Sequence, residues 1–125
     1  MATWREIGRE NFRAARGCYQ AQQYRSSVSR FYYAAYSVLT HELLLASFLP
    51  KADREAPDHA HLAEWIKTYL TSVSPRKRQE MASLIRQLYE ARLVADYRLR
   101  TVDEVTARDS RRAALIIFRY LEVEA

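Results

Sequence analysis

The chain has 125 residues and a mass of 14.7 kDa, enough for one domain with a buried core and too little for two. Only two glycines and three prolines occur beside 49% hydrophobic residues, so turn chemistry is too scarce for a β-sheet protein. A single cysteine, Cys18, excludes an internal disulfide. We therefore predict one all-α domain over residues 1–125, built as a four- to five-helix up-and-down bundle.

Two helices are predicted in the N-terminal part of the chain. Thr3 can cap the first, which runs to about Gln22 and buries residues that recur at 3.6-residue spacing from Trp4. The second runs from about Ser26 to Ser47 and is apolar nearly all the way round, so we expect it to be the central helix. Small alanines between its tyrosines would let a neighbouring helix approach closely.

A loop is predicted over residues 48–58, which include two prolines and several charges. Asp58 is expected to cap a third helix that follows this loop and extends to about Val73. Within the same stretch, His59 and His61 are predicted to have surface or capping roles only.

Two more helices complete the prediction. Ser74-Pro75 can start the fourth, with serine as the cap and proline in the first turn, and its core face is expected to extend to Leu99. Thr101 and Glu104 fit a capping box, in which each side chain would serve one backbone donor. That box would open a fifth helix ending near Val123.

The formal net charge of +5 comes from seventeen arginines and only three lysines. Arginine suits bidentate contacts with phosphate or carboxylate, although a general compositional bias would give the same ratio. Four arginines form a stripe on the first helix, which is either solvated surface or a face for a phosphate backbone or an acidic partner: Arg5, Arg9, Arg13 and Arg16.

Several kinds of chemistry are poor candidates. The two glycines lie in the first helix, so no dinucleotide or Walker loop can be written, and the cysteine and three histidines have no paired metal-ligand spacing beyond His59-Ala60-His61. We expect no metal or other cofactor. The first residues lack a secretory signal and no long uncharged apolar run occurs, which predicts a cytoplasmic protein that does not enter a membrane.

Two segments place an arginine among aromatic residues on helices predicted to be buried. The first runs from Arg30 to Tyr36 and the second from Arg92 to Tyr97. Buried arginines need a partner, and that partner is either a protein group that fixes helix register or a ligand phosphate. The predicted site residues are Arg30, Tyr33, Arg92, Asp96 and Tyr97.

The pattern of these two segments resembles the HEPN superfamily. Arg30, Tyr32, Tyr33, Ala34 and Tyr36 match Arg-x-Tyr-Tyr-Ala-x-Tyr, and about sixty residues later Arg92, Asp96 and Tyr97 match Arg-x-x-x-Asp-Tyr. The resemblance covers nearly the whole chain in length and helix order, and it is to the short, stand-alone members of the superfamily.

The resemblance implies an all-α bundle that forms a homodimer through its central helices and is encoded beside a minimal nucleotidyltransferase as a toxin–antitoxin pair. Many members are metal-independent ribonucleases with four to six residues between the arginine and the histidine of the motif, and two copies of the motif meet across the dimer. This sequence departs from that pattern, because Tyr97 occupies the histidine position and no histidine follows His61. Arg54 and His59 have the right spacing, but we interpret that match as coincidence.

Three functions remain open, and the resemblance leaves open as well that a nucleotidyltransferase partner adds nucleotides to Tyr97 as a regulatory modification. The preferred one is a module that binds nucleotide or RNA at Arg30, Tyr33, Arg92, Asp96 and Tyr97, together with a nucleotidyltransferase-like protein partner. The first alternative is an endoribonuclease toxin in which catalytic Arg92 acts with Tyr97 in place of the histidine. The second alternative is a helical interaction protein without a ligand.

Overall fold

The structure is a computed structural model and describes residues 2–125. Over this range it contains five α-helices and one short 3₁₀ helix, with no β-strand, which confirms the predicted all-α bundle. The α-helices are α1 (Trp4–Gln20), α2 (Tyr24–Leu45), α3 (Leu62–Tyr69), α4 (Pro75–Tyr97) and α5 (Glu104–Tyr120).

α1 and α2 form an antiparallel pair. The Thr3 hydroxyl accepts a hydrogen bond from the Glu6 amide at 3.1 Å, which confirms the predicted cap of α1. At Gly8 the two helices come so close that an added Cβ would lie 2.9 Å from the carbonyl oxygen of Ala34 and 2.5 Å from Cγ1 of Val38. The predicted close approach at the small residues of α2 is therefore present.

α2 is the central helix, as predicted. Every residue from Phe31 to Thr40 is buried except Tyr33, which is half-buried, and α1, α3, α4 and α5 all pack against this helix. α2 begins and ends two residues earlier than predicted. Beyond its end, Ser47 has a φ of 69°, a left-handed conformation that ends the helical path.

The third predicted helix is shorter than expected. The chain forms a 3₁₀ turn at His59–His61 and then α3, which ends at Tyr69 and not at Val73. Asp58 does cap this segment, because its carboxylate accepts a hydrogen bond from the His61 amide at 3.0 Å. α3 stops early because the chain must turn before α4, which starts at Pro75 with Ser74 as its cap.

The connection between α4 and α5 corrects two predictions. α4 ends at Tyr97, and Leu99 is fully exposed at 104% of its reference area, so it is not a core residue. Thr101 does not cap α5; Asp103 does, accepting from the Thr106 amide at 3.0 Å. The Glu104 carboxylate does not serve the predicted capping box; it accepts a hydrogen bond from Tyr19 of α1.

An arginine that the sequence interpretation passed over explains this connection. The guanidinium of Arg25 donates to the carbonyl oxygens of Ala95 at 2.6 Å and Arg98 at 2.9 Å, and also to that of Arg100. Arg25 therefore satisfies free carbonyls at the C-terminal end of α4 and ties the following segment, which begins with the extended Arg98, to the start of α2.

Candidate functional site

Arg92 is the centre of the predicted site and has several protein partners. Its Nε donates to Oδ2 of Asp96 at 2.9 Å, and its Nη2 donates to the Tyr33 hydroxyl at 2.6 Å and, at 3.4 Å, to the Tyr97 hydroxyl. The side chain is 12% exposed. The spacing of four residues on α4 places Arg92 and Asp96 on one face, and α2 supplies Tyr33 from the opposite side.

Three aromatic rings surround the same guanidinium. Its Cζ lies 5.1 Å from the ring centroid of Tyr33, 5.4 Å from that of Tyr97 and 5.8 Å from that of Tyr32. Desolvation alone would lower the pKa of Arg92, but Tyr33, Tyr97 and Asp96 together raise it. Arg92 is therefore a permanent cation, and Nη1 has no hydrogen-bond partner among residues 2–125.

An open cleft of about 490 Å³ lies beside this arginine, between α2 and α4. Tyr33 and Asp96 form part of its wall. Both are hydrogen-bonded to Arg92, which does not itself line the cleft. The Asp96 carboxylate also accepts a hydrogen bond from Ser29 at 3.2 Å. The full set of lining residues is Asn11, Arg25, Ser26, Ser29, Arg30, Tyr33, Ala95 and Asp96.

Arg30 lines the cleft but is not buried, contrary to the sequence interpretation. It is exposed, and within the described range its guanidinium forms no hydrogen bond or ion pair. Arg25, the other arginine of the cleft, donates instead to backbone carbonyls. Arg30 thus brings an unneutralised positive charge to the cleft.

Tyr97 is an exposed member of the predicted site. Its side chain lies at the end of α4 beside Asp96 and is 68% exposed. The ring is held against the Arg92 guanidinium and still presents a face and a hydroxyl to solvent. The structure therefore brings Tyr33, Arg92, Asp96 and Tyr97 together, with Arg30 on the neighbouring turn of α2.

His59 was assigned a surface or capping role, and the structure corrects that prediction. Its ring stacks on Tyr36 with centroids 4.4 Å apart, and its Nδ1 lies 2.5 Å from the Tyr32 hydroxyl, with which it shares a hydrogen bond. Tyr33 and Tyr89 complete a group that we call the tyrosine cluster: Tyr32, Tyr33, Tyr36 and Tyr89, with His59 among them. Arg92 contacts the same cluster through Tyr32 and Tyr33.

The surroundings of His59 determine its charge. Burial lowers the pKa of the imidazole, and the positive charge of Arg92 lowers it further. Burial also raises the pKa of Tyr32, well above the usual tyrosine range. Both groups are thus neutral near pH 7. No sequence periodicity could reveal this position, because His59 reaches the cluster from a loop.

The four arginines of the α1 stripe do not share one environment. Arg5 donates to the carbonyl oxygen of Glu122 at 3.2 Å and Arg9 to that of Glu124 at 3.1 Å, so both contact the C-terminal segment. Arg13 and Arg16 are exposed and have no partner of this kind in the described residues. Only the second half of the stripe is an open basic surface.

In the described part of the chain, no three His, Cys, Asp or Glu side chains are grouped closely enough to hold a metal ion. No helix in the same range is both long and apolar enough to cross a membrane.

The fold and the site define a class of protein: a small five-helix bundle with an arginine-tyrosine cleft between its central helix and its longest helix. Comparison with protein families agrees with the resemblance seen in the two motifs. The family model of the HEPN domain matches residues 1–124, and the chain belongs to this family. Searches of curated proteins and of solved structures each found no match.

Proposed function

We propose that this HEPN protein binds RNA or a nucleotide in the cleft between α2 and α4. One observation carries the proposal: Arg30 is unpaired in a polar cleft whose walls, Tyr33 and Asp96, are held in place by Arg92. A phosphate can pair with Arg30 through charge-assisted hydrogen bonds, and the exposed Tyr97 ring offers a stacking surface for a base.

The net charge supports the same ligand class. A formal charge of +5 attracts a polyanion over long range, and the cleft concentrates two arginines and two serines in one place. Binding should therefore weaken as salt rises, in proportion to the number of phosphates contacted. Contacts at Tyr97 would add a part of the affinity that depends less on salt.

Binding of a labelled single-stranded RNA in EDTA, measured by fluorescence anisotropy, tests the proposal. Arg30→Ala and Arg92→Ala should each weaken binding by about tenfold or more, because each removes a charged contact or its support. Arg86→Ala removes an exposed arginine of α4 outside the cleft and is the matched control. Circular dichroism would verify that each variant keeps its helices.

Two results would reject the cleft as the site. Equal losses in all three variants would indicate a general basic surface, as expected for an interaction protein without a specific ligand. Binding that ignores Arg30 and Arg92 but falls steeply with salt would indicate the open arginines of α1. Arg30 is exposed, so its variant remains informative even if Arg92→Ala unfolds the protein.

We also propose a nucleotidyltransferase-like protein partner and a role in a toxin–antitoxin or defence module. This proposal rests on the family and on the motif residues, not on a contact within the chain. Coexpression of the tagged chain with the product of the neighbouring gene tests it. Copurification at a fixed ratio is the expected outcome, and separation of the two proteins at low salt would contradict it.

An endoribonuclease is the second candidate function. The observation that favours it is the exposed Tyr97 hydroxyl at 3.4 Å from Nη2 of Arg92, which places a proton donor beside a cation that could stabilise a phosphorane. A 2′-hydroxyl attack would release a 5′-hydroxyl and leave a 2′,3′-cyclic phosphate. Incubation with RNA in EDTA should then show cleavage by wild type that is lost in both Arg92→Ala and Tyr97→Phe.

The outcome of that incubation separates the two functions. Cleavage that depends on Arg92 and Tyr97 would replace the binding proposal with the enzyme. Cleavage that survives Tyr97→Phe but not His59→Gln would assign the proton transfer to the histidine of the tyrosine cluster. No cleavage, together with binding that depends on Arg30, would favour the binding module.

A further inference from the structure

A second cavity lies under the loop that joins α2 to α3. It encloses about 290 Å³ and shares no lining residue with the cleft. We call it the loop pocket. Its principal lining residues are Phe48, Lys51, Arg54, Asp58, Trp65 and Tyr69.

Aromatic rings form the floor of the loop pocket. Phe48 is buried and packs on Trp65 and Tyr69, with centroid distances of 5.4 Å and 5.3 Å. Trp65 and Tyr69 are each half-buried, and their rings meet edge to face at 6.2 Å. Two aromatic side chains therefore keep part of their surface open to the cavity, where a planar group could stack.

The rim of the loop pocket carries two cationic side chains, whereas the carboxylates of Asp53 and Glu55 in the same loop do not line the cavity. Lys51 and Arg54 are exposed, and across residues 2–125 neither side chain forms a hydrogen bond or an ion pair. The one carboxylate of the lining belongs to Asp58, which already accepts from the His61 amide at 3.0 Å and contacts its Nδ1 at 2.8 Å. Two cations are left to attract an anion at the mouth of an aromatic cavity.

The loop that carries the rim is fixed at both ends. The Phe48 amide donates to the carbonyl oxygen of Leu43 at 3.0 Å. At the other end, the Tyr36 hydroxyl donates to the carbonyl oxygen of Pro57 at 2.7 Å, and His59 packs in the tyrosine cluster. A ligand would thus meet a cavity that is already formed, which reduces the entropy cost of binding.

We propose that the loop pocket binds a heteroaromatic ring that carries a phosphate, which is the chemistry of one nucleotide. The ring stacks on Trp65 or Tyr69, and the phosphate pairs with Lys51 and Arg54. The volume lies at the small end of the range for ligand sites, which suits one nucleotide and not a longer oligomer. The proposal does not depend on the cleft, because the two cavities have separate walls.

Fluorescence of Trp65 provides a direct test. Trp4→Phe leaves Trp65 as the only tryptophan, and this background is titrated with adenosine monophosphate, adenosine and inorganic phosphate. We expect quenching by the monophosphate, quenching by adenosine only at about tenfold higher concentration, and none by phosphate alone. A short RNA with a 5′-phosphate shows whether the nucleotide comes from an RNA end or from the free pool.

Variants in the same background locate the site. Lys51→Ala combined with Arg54→Ala should weaken binding of adenosine monophosphate by about tenfold or more, while Arg86→Ala should leave this affinity unchanged. Lack of quenching by every nucleotide, or equal affinity for adenosine and its monophosphate, would overturn the proposal. Unchanged affinity in the double variant would overturn it as well.

Discussion

Arg92 shows how one side chain can serve both the fold and a site. A guanidinium has five N–H donors, and the contacts with Asp96, Tyr33 and Tyr97 use only Nε and Nη2. The structural and the ligand-binding interpretations of this arginine are therefore compatible. The protein contacts orient the group and leave Nη1 without a hydrogen-bond partner in the described residues, while Arg92 supports Tyr33 and Asp96 in the wall of the cleft.

The tyrosine cluster predicts a pH dependence that can be assigned to one residue. His59 has a lowered pKa in the folded protein, so between its ordinary value of 6.5 and that lower value the unfolded chain binds more protons. The free energy of unfolding should thus be highest above pH 6.5 and fall as the pH drops below it. Asp58 and Asp103 also have lowered pKa values, but their effect belongs to more acidic solutions.

Urea unfolding at a series of pH values between about 7.5 and about 5 measures this effect, a range that extends further below the ordinary pKa of histidine than above it. His59→Gln removes the titrating group, so its free energy of unfolding should fall less with acid than that of wild type. His61→Gln is the control and should keep the steeper fall, because His59 is still present. Identical pH profiles for wild type and His59→Gln would refute the assignment.

At the scale of the element, the two glycines of α1 have opposite environments. A Cβ at Gly8 would lie 2.9 Å from the backbone oxygen of Ala34, whereas a Cβ at Gly17 would meet nothing within 4 Å. The contact at Gly8 sets the separation of α1 and α2. Gly17 has no such role, and its flexibility only weakens the helix.

The matched pair Gly8→Ala and Gly17→Ala tests this difference by urea unfolding. Gly17→Ala should raise the free energy of unfolding by about 0.5–1 kcal/mol, the gain in helix propensity. Gly8→Ala should lower it, because crowding against a backbone oxygen costs about 1–3 kcal/mol and outweighs the same gain. Stabilisation by both substitutions would show that α1 can move away from α2 without loss.

The start of α5 gives a second test at this scale. Asp103 accepts from the backbone and the hydroxyl of Thr106, while Thr101 lies two residues before the cap and makes no such contact. Asp103→Ala should therefore lower the melting temperature, and Thr101→Ala should leave it unchanged. A lower melting temperature in Thr101→Ala, with no change in Asp103→Ala, would instead support the capping box that the sequence suggested.

At the scale of the whole molecule, burial limits where a dimer can form. Most of α2 from Phe31 to Thr40 is enclosed within one chain, so a second copy can reach this helix at residues 24–30 or at residues 41–45. The first of these segments borders the cleft, next to the exposed Tyr97 and Leu99. The family implies a homodimer through the central helices. A dimer that used the segment of α2 beside the cleft would bring the two clefts together in one interface.

Light scattering after size-exclusion chromatography tests the dimer. Wild type should have twice the chain mass of 14.7 kDa. The double variant Tyr97→Glu with Leu99→Glu should shift the protein towards the monomer, because it places negative charge in the dimer interface. Leu45→Glu changes another exposed leucine, about 20 Å along α2 from Arg30, and should leave the dimer intact. A monomeric wild type, or equal disruption by Leu45→Glu, would contradict this interface.

The sequence by itself determined the helical class, the order of the helices and most of their starts. Local chemistry was sufficient at Thr3, Asp58 and Ser74, because a cap needs only its own side chain and an amide three residues later. It was also sufficient to pair Arg92 with Asp96 and to select the family, since the pair and each of the two family motifs depend on spacing within a helix.

Only the tertiary structure decided which groups meet from distant parts of the chain. His59 enters the tyrosine cluster from a loop, Arg25 caps α4 from the start of α2, and Leu99 turns outward although its spacing on α4 suggested the core. Such contacts depend on how helices and loops are placed in three dimensions. The periodic spacing of apolar residues along one helix carries no information about that placement. For this reason the cavities of the cleft and of the loop pocket could be recognised only in the tertiary structure.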